Sequence, residues 1–222
     1  MAAVTTDHIH FGADSRLRYL AAGGNVQIGT GSKVTVFRLR DENLIVGHAG
    51  MWFSEGADEL IHRILRSWSV STKPVEELCE TLAHDIAQPF TAKAFADGTP
   101  NMTEFLVGHF PRVGRPSLTY VSSAIVEPIG VGVVRAIGGD TSRPVVESFR
   151  PAEGTAADVR YLRDVLVKTL IASPSNAYDF PVLVLSVSGA EIEAVSQGYY
   201  GAHGESVKPP SIDMHIPGEF PK

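Results

Sequence analysis

The chain has 222 residues, 44% apolar and 20% charged, a balance that suits a globular protein with a sizeable core. Its formal net charge of -6, with Lys and Arg interspersed among Asp and Glu, leaves no basic patch or stripe and argues against nucleic acid as a partner. Cys79 is the single cysteine, which excludes an intrachain disulfide and a Cys-based zinc cluster and points to a reducing cytoplasm.

The start, Met1-Ala2-Ala3-Val4-Thr5-Thr6-Asp7, lacks the basic and then long apolar pattern of a secretory signal. The longest strongly apolar run, Val182 to Val187, is far too short to span a bilayer, so no membrane partner is expected.

In chain order, Ile9 and Phe11 alternate with His8 and His10, the period of a half-buried strand. Gly23-Gly24 and Gly29-Thr30-Gly31 punctuate the next stretch. Val34, Val36 and Leu39 form an extended run, and Asp41-Glu42-Asn43 suits a hairpin turn into Leu44-Ile45-Val46. The period then changes. Leu60, Ile61, Ile64, Leu65 and Trp68 recur at helical spacing, and Val75, Leu78, Leu82 and Ile86 continue a second amphipathic stripe that Pro89 ends. Ser71, Thr72 and Pro74 supply start signals for that second helix.

Three strands are expected next, at Phe105 to Phe110, Leu118 to Ile125 and Gly130 to Ile137, with Pro111, Gly114, Pro116 and Pro128 in their connections. A short helix fits Pro144 to Arg150, and Val159, Leu162, Val165, Leu166, Thr169 and Leu170 share one face of a longer one. Val182 to Leu185 reads as a buried strand turning at Ser188-Gly189-Ala190 into Glu191 to Val195. Residues 1–196 read as one domain; residues 197–222, rich in Pro and Gly, read as an extended tail.

Four short segments carry a family resemblance. Phe11-Gly12-Ala13-Asp14-Ser15-Arg16, Gly31-Ser32-Lys33-Val34, Val46-Gly47-His48-Ala49-Gly50 and Arg135-Ala136-Ile137-Gly138-Gly139 resemble, in order and at compatible spacing, segments of the proteasome-like family of N-terminal-nucleophile (Ntn) hydrolases. The resemblance covers about residues 2–196. It implies an α+β fold, a four-layer αββα sandwich of two antiparallel sheets flanked by helices, and a homo-oligomer built as a ring or stack.

In active members of that family the first residue, usually Thr, is the nucleophile and its α-amino group the base. An α-amine titrates near neutrality and can take the hydroxyl proton at working pH. The resemblance places Asp14 at the supporting aspartate, Lys33 at the lysine and Gly50 at the oxyanion-hole glycine, without any cofactor. Counting back from Asp14 puts the nucleophile position a few residues before Met1, and neither Met1 nor Ala2 has a hydroxyl. Thr5 and Thr6 fall inside the first hairpin. Gly139 stands where active members carry a serine, an aspartate-x-x-serine-glycine element is missing around Ser173 to Asp179, and Met51-Trp52-Phe53 replaces small residues.

Two readings follow: a catalytically silent protein that acts through assembly or a partner, and an active threonine-type peptidase or amidohydrolase, taking a peptide or small amide, whose N-terminus lies upstream or is made by processing. Plainer roles stand beside these: Asp14 capping a turn with Ser15, Lys33 in a surface ion pair, Gly50 as a turn glycine. A third reading uses His8, His10 and His48 as a metal- or ligand-binding set, although their spacing matches no metal motif. Cys79, on the apolar side of its helix, reads as a buried inert thiol.

Overall fold

The computed structural model describes residues 1–14, 16–20, 26–30, 33–39, 42–49, 52–53, 66–91, 104–138, 164–165, 167–168, 182–188, 194–203 and 205–208. Fourteen strands are present among them: β1 (Ala2–Val4), β2 (His8–Ala13), β3 (Arg16–Leu20), β4 (Val26–Thr30), β5 (Val34–Leu39), β6 (Glu42–Ala49), β7 (Trp52–Phe53), β8 (Glu104–Phe110), β9 (Ser117–Ser122), β10 (Val126–Ile129), β11 (Val134–Arg135), β12 (Val182–Ser188), β13 (Ala194–Tyr200) and β14 (Ser206–Val207). A first sheet runs β11-β1-β2-β12-β13-β14, a second β10-β9-β8-β6-β5, and a small third β4-β3-β7.

Alternation along the strands explains why the two large sheets meet face to face. Ile9 and Phe11 of β2 and Leu185 and Val187 of β12 point to one side of the first sheet, where they bury against Ile45, Leu106, Phe110 and Leu118 of the second. The sheets approach closely because Gly47 offers no side chain: a Cβ there would stand 2.8 Å from the Phe11 ring. The opposite face of the second sheet, with Leu44, Val46, Phe105, Val107 and Val121, packs on helix α1 (Val75–Thr91) through Val75, Leu78, Cys79, Leu82 and Ile86. Each fully buried side chain of that stripe contributes about 1.5–3 kcal/mol. The outer face of the first sheet covers Val165 and Val167 with Ala3, Val134, Val182 and Val184.

The four-layer αββα expectation is corrected. The described residues are predominantly β-sheet, and helix is confined to α1, a turn at 66–69 and residues 164–165 and 167–168. The stripes read as helix over Leu60 to Leu65 and Val159 to Leu170, like the short helix at Pro144 to Arg150, lie wholly or mainly outside the described residues. A third sheet, whose β3 and β7 run parallel, was not expected. Gly29 and Thr30 belong to β4 and do not punctuate it.

Several boundaries also move. Pro89 does not stop α1, which continues to Thr91; a proline so near the end forfeits only one late backbone bond. The run from Leu118 to Ile125 breaks after Ser122, whose hydroxyl accepts from the backbone N–H of Ala124 and Ile125 and turns the chain into β10. Pro128 lies within β10, the edge strand of its sheet among the described residues, where a missing donor is tolerated. Residues 130–133 form a turn that hands the chain from the second sheet to β11 of the first. β13 continues to Tyr200, and β14 pairs with it at Tyr199↔Val207 and Tyr200↔Ser206.

Candidate functional site

A tight hairpin sets the geometry of the site. β1 and β2 pair in the register Ala2↔Phe11, Ala3↔His10 and Val4↔Ile9. The backbone N–H of Thr5 donates to the His8 carbonyl at 2.8 Å, and the Thr5 hydroxyl accepts from the His8 N–H at 3.0 Å. Two residues, Thr6 and Asp7, make the turn. At the other end the Met1 amino group donates to the Gly12 carbonyl at 2.7 Å, while the Gly12 N–H donates back to the Met1 carbonyl at 2.8 Å.

Asp14 lies just past the end of β2, and Lys33 just before β5. The fold brings them together: Lys33 Nζ donates to Asp14 Oδ1 at 2.7 Å. Lys33 is held from its backbone as well, since its carbonyl accepts from the His48 N–H at 3.0 Å. The Met1 amine feels both charges. Burial pushes its pKa down from 8.0 to about 5; the Asp14 carboxylate opposes that fall and the Lys33 ammonium adds to it. The amine of Met1 thus lies at the Lys33–Asp14 end of the hairpin. Thr5 and Thr6 sit at the far end of β1, about 13 Å along a strand from the amine. Gly50, Gly139 and the Ser173 to Asp179 stretch lie outside the described residues.

A second polar group at this end gave no motif. Glu104 opens β8 at an inward-facing register position, opposite Ala49 and Ser122, and is buried. Its carboxylate accepts from the Tyr120 hydroxyl and, at 2.7 Å, from the Gly138 N–H. Gly138 has φ 67 and no room for a Cβ, which would meet that of Ala49 at 2.6 Å. The Arg135 guanidinium lies 4.5 Å over the Tyr120 ring and pairs with Glu127 at 2.9 Å. The only sequence signal was a carboxylate at the head of an otherwise apolar strand.

The histidines do not form a metal set. His8 and His10 stack on the outer face of the first sheet, their ring centroids 5.7 Å apart, opposite in direction to the core-facing Ile9 and Phe11. His48 packs beside Phe105, on the α1 side of the second sheet. The two-sheet core separates them. Among the described residues, no group of three or more His, Cys, Asp or Glu side chains is placed to hold a metal ion. Among the same residues no helix is long and apolar enough to cross a membrane.

No family model matches the chain, and no curated protein matches it in sequence. Solved structures do match. The Anbu protein of Hyphomicrobium sp. strain MC1 superposes with a TM-score of 0.66 at 12% identity, covering 92% of this chain and 88% of that one. Anbu of Yersinia bercovieri, described as an ancestral beta-subunit, gives 0.60 at 14% identity over 89% and 84%. Anbu from a helical assembly of Pseudomonas aeruginosa gives 0.62 at 16% identity over 95% and 87%.

These findings correct the family reading. Membership of the proteasome-like Ntn hydrolases, drawn from four short segments, is matched by no family model, and identities of 12–16% establish a shared fold alone. Such segments are strand ends and turns, which a fold demands whatever chemistry it carries. What is established is the Anbu fold.

Proposed function

We propose that this chain is a self-assembling protein of the Anbu fold whose Lys33–Asp14 end is catalytically silent. The carrying observation is the engagement of the groups at that end: the Lys33 ammonium is held by the Asp14 carboxylate at 2.7 Å. The hydroxyls of Thr5 and Thr6 are committed to the hairpin turn. Self-assembly draws support from the helical assembly formed by the Pseudomonas aeruginosa Anbu, and a ring or stack of copies is our reading here. In this role Lys33, Asp14 and Glu104 hold this end of the two large sheets in shape. A cytoplasmic setting rests on the lone Cys79, a free and buried thiol.

Light scattering across a wide concentration range, paired with an electrophilic probe for N-terminal nucleophiles, tests both halves. Oligomers without a covalent adduct are expected. A monomer throughout would sink the assembly role, and an adduct at the first residue would sink the silence.

One observation favours a second reading, hydrolysis of a peptide or small amide at the same place. An amine with a pKa of about 5 is unprotonated at neutral pH, with Lys33 and Asp14 beside it, so a hydroxyl-bearing first residue, lying upstream or made by processing, would find a free base and a cation at this place. Turnover of fluorogenic amides that disappears in Lys33→Ala would establish it; no turnover by the native chain leaves the first reading standing.

A further inference from the structure

Among the described residues the two most exposed large apolar side chains are Val113, at 89%, and Val70, at 83%. Single exposed valines are ordinary. These two differ because each sits in a setting of opposite charge.

Val113 occupies the tip of the β8–β9 connection, Pro111-Arg112-Val113-Gly114-Arg115-Pro116, where Arg112 and Arg115 are exposed on either side and no acid intervenes. The tip is preset. A proline fixes φ at each end, Gly114 takes φ 129, and the Arg112 N–H donates to Glu42 Oε1 at 3.4 Å. A preset loop loses little freedom on docking, and arginine is a favoured interface anchor. The pairing Ile129↔Leu118 places the exposed Val131 and Val133 of the next turn at the same end of the sheet.

Val70 links the helical turn at 66–69 to α1. Exposed on or beside it are Arg66, Lys73, Glu76, Glu77 and Glu80, and Lys73 is taken up by Glu77 at 2.7 Å. Glu76 and Glu80, one helical turn apart, remain as neighbouring outward carboxylates. The tip brings two arginines against the one Glu42 carboxylate beside it, and the Val70 surface brings three glutamates against Arg66 and Lys73, so a net basic apolar surface matches a net acidic one.

We propose that the 111–116 tip of one copy docks on the Val70–α1 surface of a second copy, Val113 against Val70 and the two arginines against Glu76 and Glu80. The inference rests on the self-assembly reading and specifies its contact. Because the two surfaces differ, the contact is head-to-tail. It repeats from copy to copy and gives a closed ring or an open helix according to the rotation it imposes.

Charge reversal tests it on the whole chain. Arg112→Glu with Arg115→Glu, and separately Glu76→Arg with Glu80→Arg, should each raise the concentration needed for assembly about tenfold or more. All four positions are exposed, so circular dichroism should be unchanged. Mixing the two variants should restore assembly, since in alternation the acidic tip of one meets the basic surface of the other and the native tip meets the native surface. If both variants assemble like the native chain, or lose assembly and do not recover on mixing, the docking pair is wrong while self-assembly stands. A native chain that stays monomeric overturns the self-assembly reading itself.

Discussion

Lys33 Nζ lies 2.7 Å from Asp14 Oδ1, with side chains only 17% and 11% exposed, and the Met1 amine shares their electrostatic field. The contact joins residues 19 positions apart across the gap between the two large sheets. A pair so withdrawn from water gains much from its geometry and loses much when one partner is removed.

Removing both partners should therefore cost less than the two single removals added together. Asp14→Ala and Lys33→Met are each expected to destabilise the fold by about 2–4 kcal/mol. The double variant should fall short of their sum by more than about 1 kcal/mol. Urea unfolding of the four proteins closes the cycle; strict additivity would mean that the contact does not hold the fold.

The Met1 amine makes a pH prediction with a definite sign. In the unfolded chain it binds a proton below 8.0, and in the folded chain only below about 5. Unfolding between those values takes up a proton, so stability rises with pH through this window and is lost as pH falls from 8 to 5. The displacement is equivalent to about 4 kcal/mol at most. Asp7, lowered by its hydrogen bond to His8, acts only below the ordinary carboxylate range and does not obscure it. Denaturant midpoints measured from pH 5 to 8 should show the slope, and acetylation of the amine should abolish it.

Cys79 should resist alkylation in the folded protein. Burial, helped by the carboxylates of Glu76 and Glu80, pushes its thiol up to about 12, so the reactive thiolate is nearly absent at pH 8. Mass spectrometry after iodoacetamide should find modification only under denaturing conditions. The same packed seam predicts a cost of about 2–5 kcal/mol for Leu82→Ala, read from the unfolding midpoint.

Two glycines separate backbone strain from crowding. Gly132 has φ 78 with nothing within 4 Å of a would-be Cβ, so Gly132→Ala should cost about 1–2 kcal/mol from conformation alone. Gly138 has φ 67 and the Ala49 Cβ in the way, so Gly138→Ala should cost about 2–4 kcal/mol. Equal losses in thermal melts would show that the turn at 138 shifts freely, and that Glu104 does not pin it.

Local periodicity made the strands of the two main sheets and the apolar stripe of α1 legible, because each is written within a few residues. Asp14 and Lys33 were picked out by resemblance, and their approach is seen only when β2 and β5 are set in different sheets. The β3–β7 pair was not legible: a parallel contact between residues more than 30 positions apart leaves no short pattern. Glu104 was missed because its partners, Tyr120 and Gly138, come from two other segments.

The turn between β1 and β2 acts as a ruler. With Thr6 and Asp7 as its two units, pairing fixes every later mark on β1, down to the group that arrives opposite Gly12. Insert a single residue between Thr5 and His8, and the strand must either bulge or slide by one. A slide would turn Ala2 and Val4 out of the core and bring a different backbone atom to the Lys33–Asp14 pair. What stands beside the Lys33–Asp14 pair is thus set by a measurement made at the opposite end of the sheet, in the two residues of a single turn.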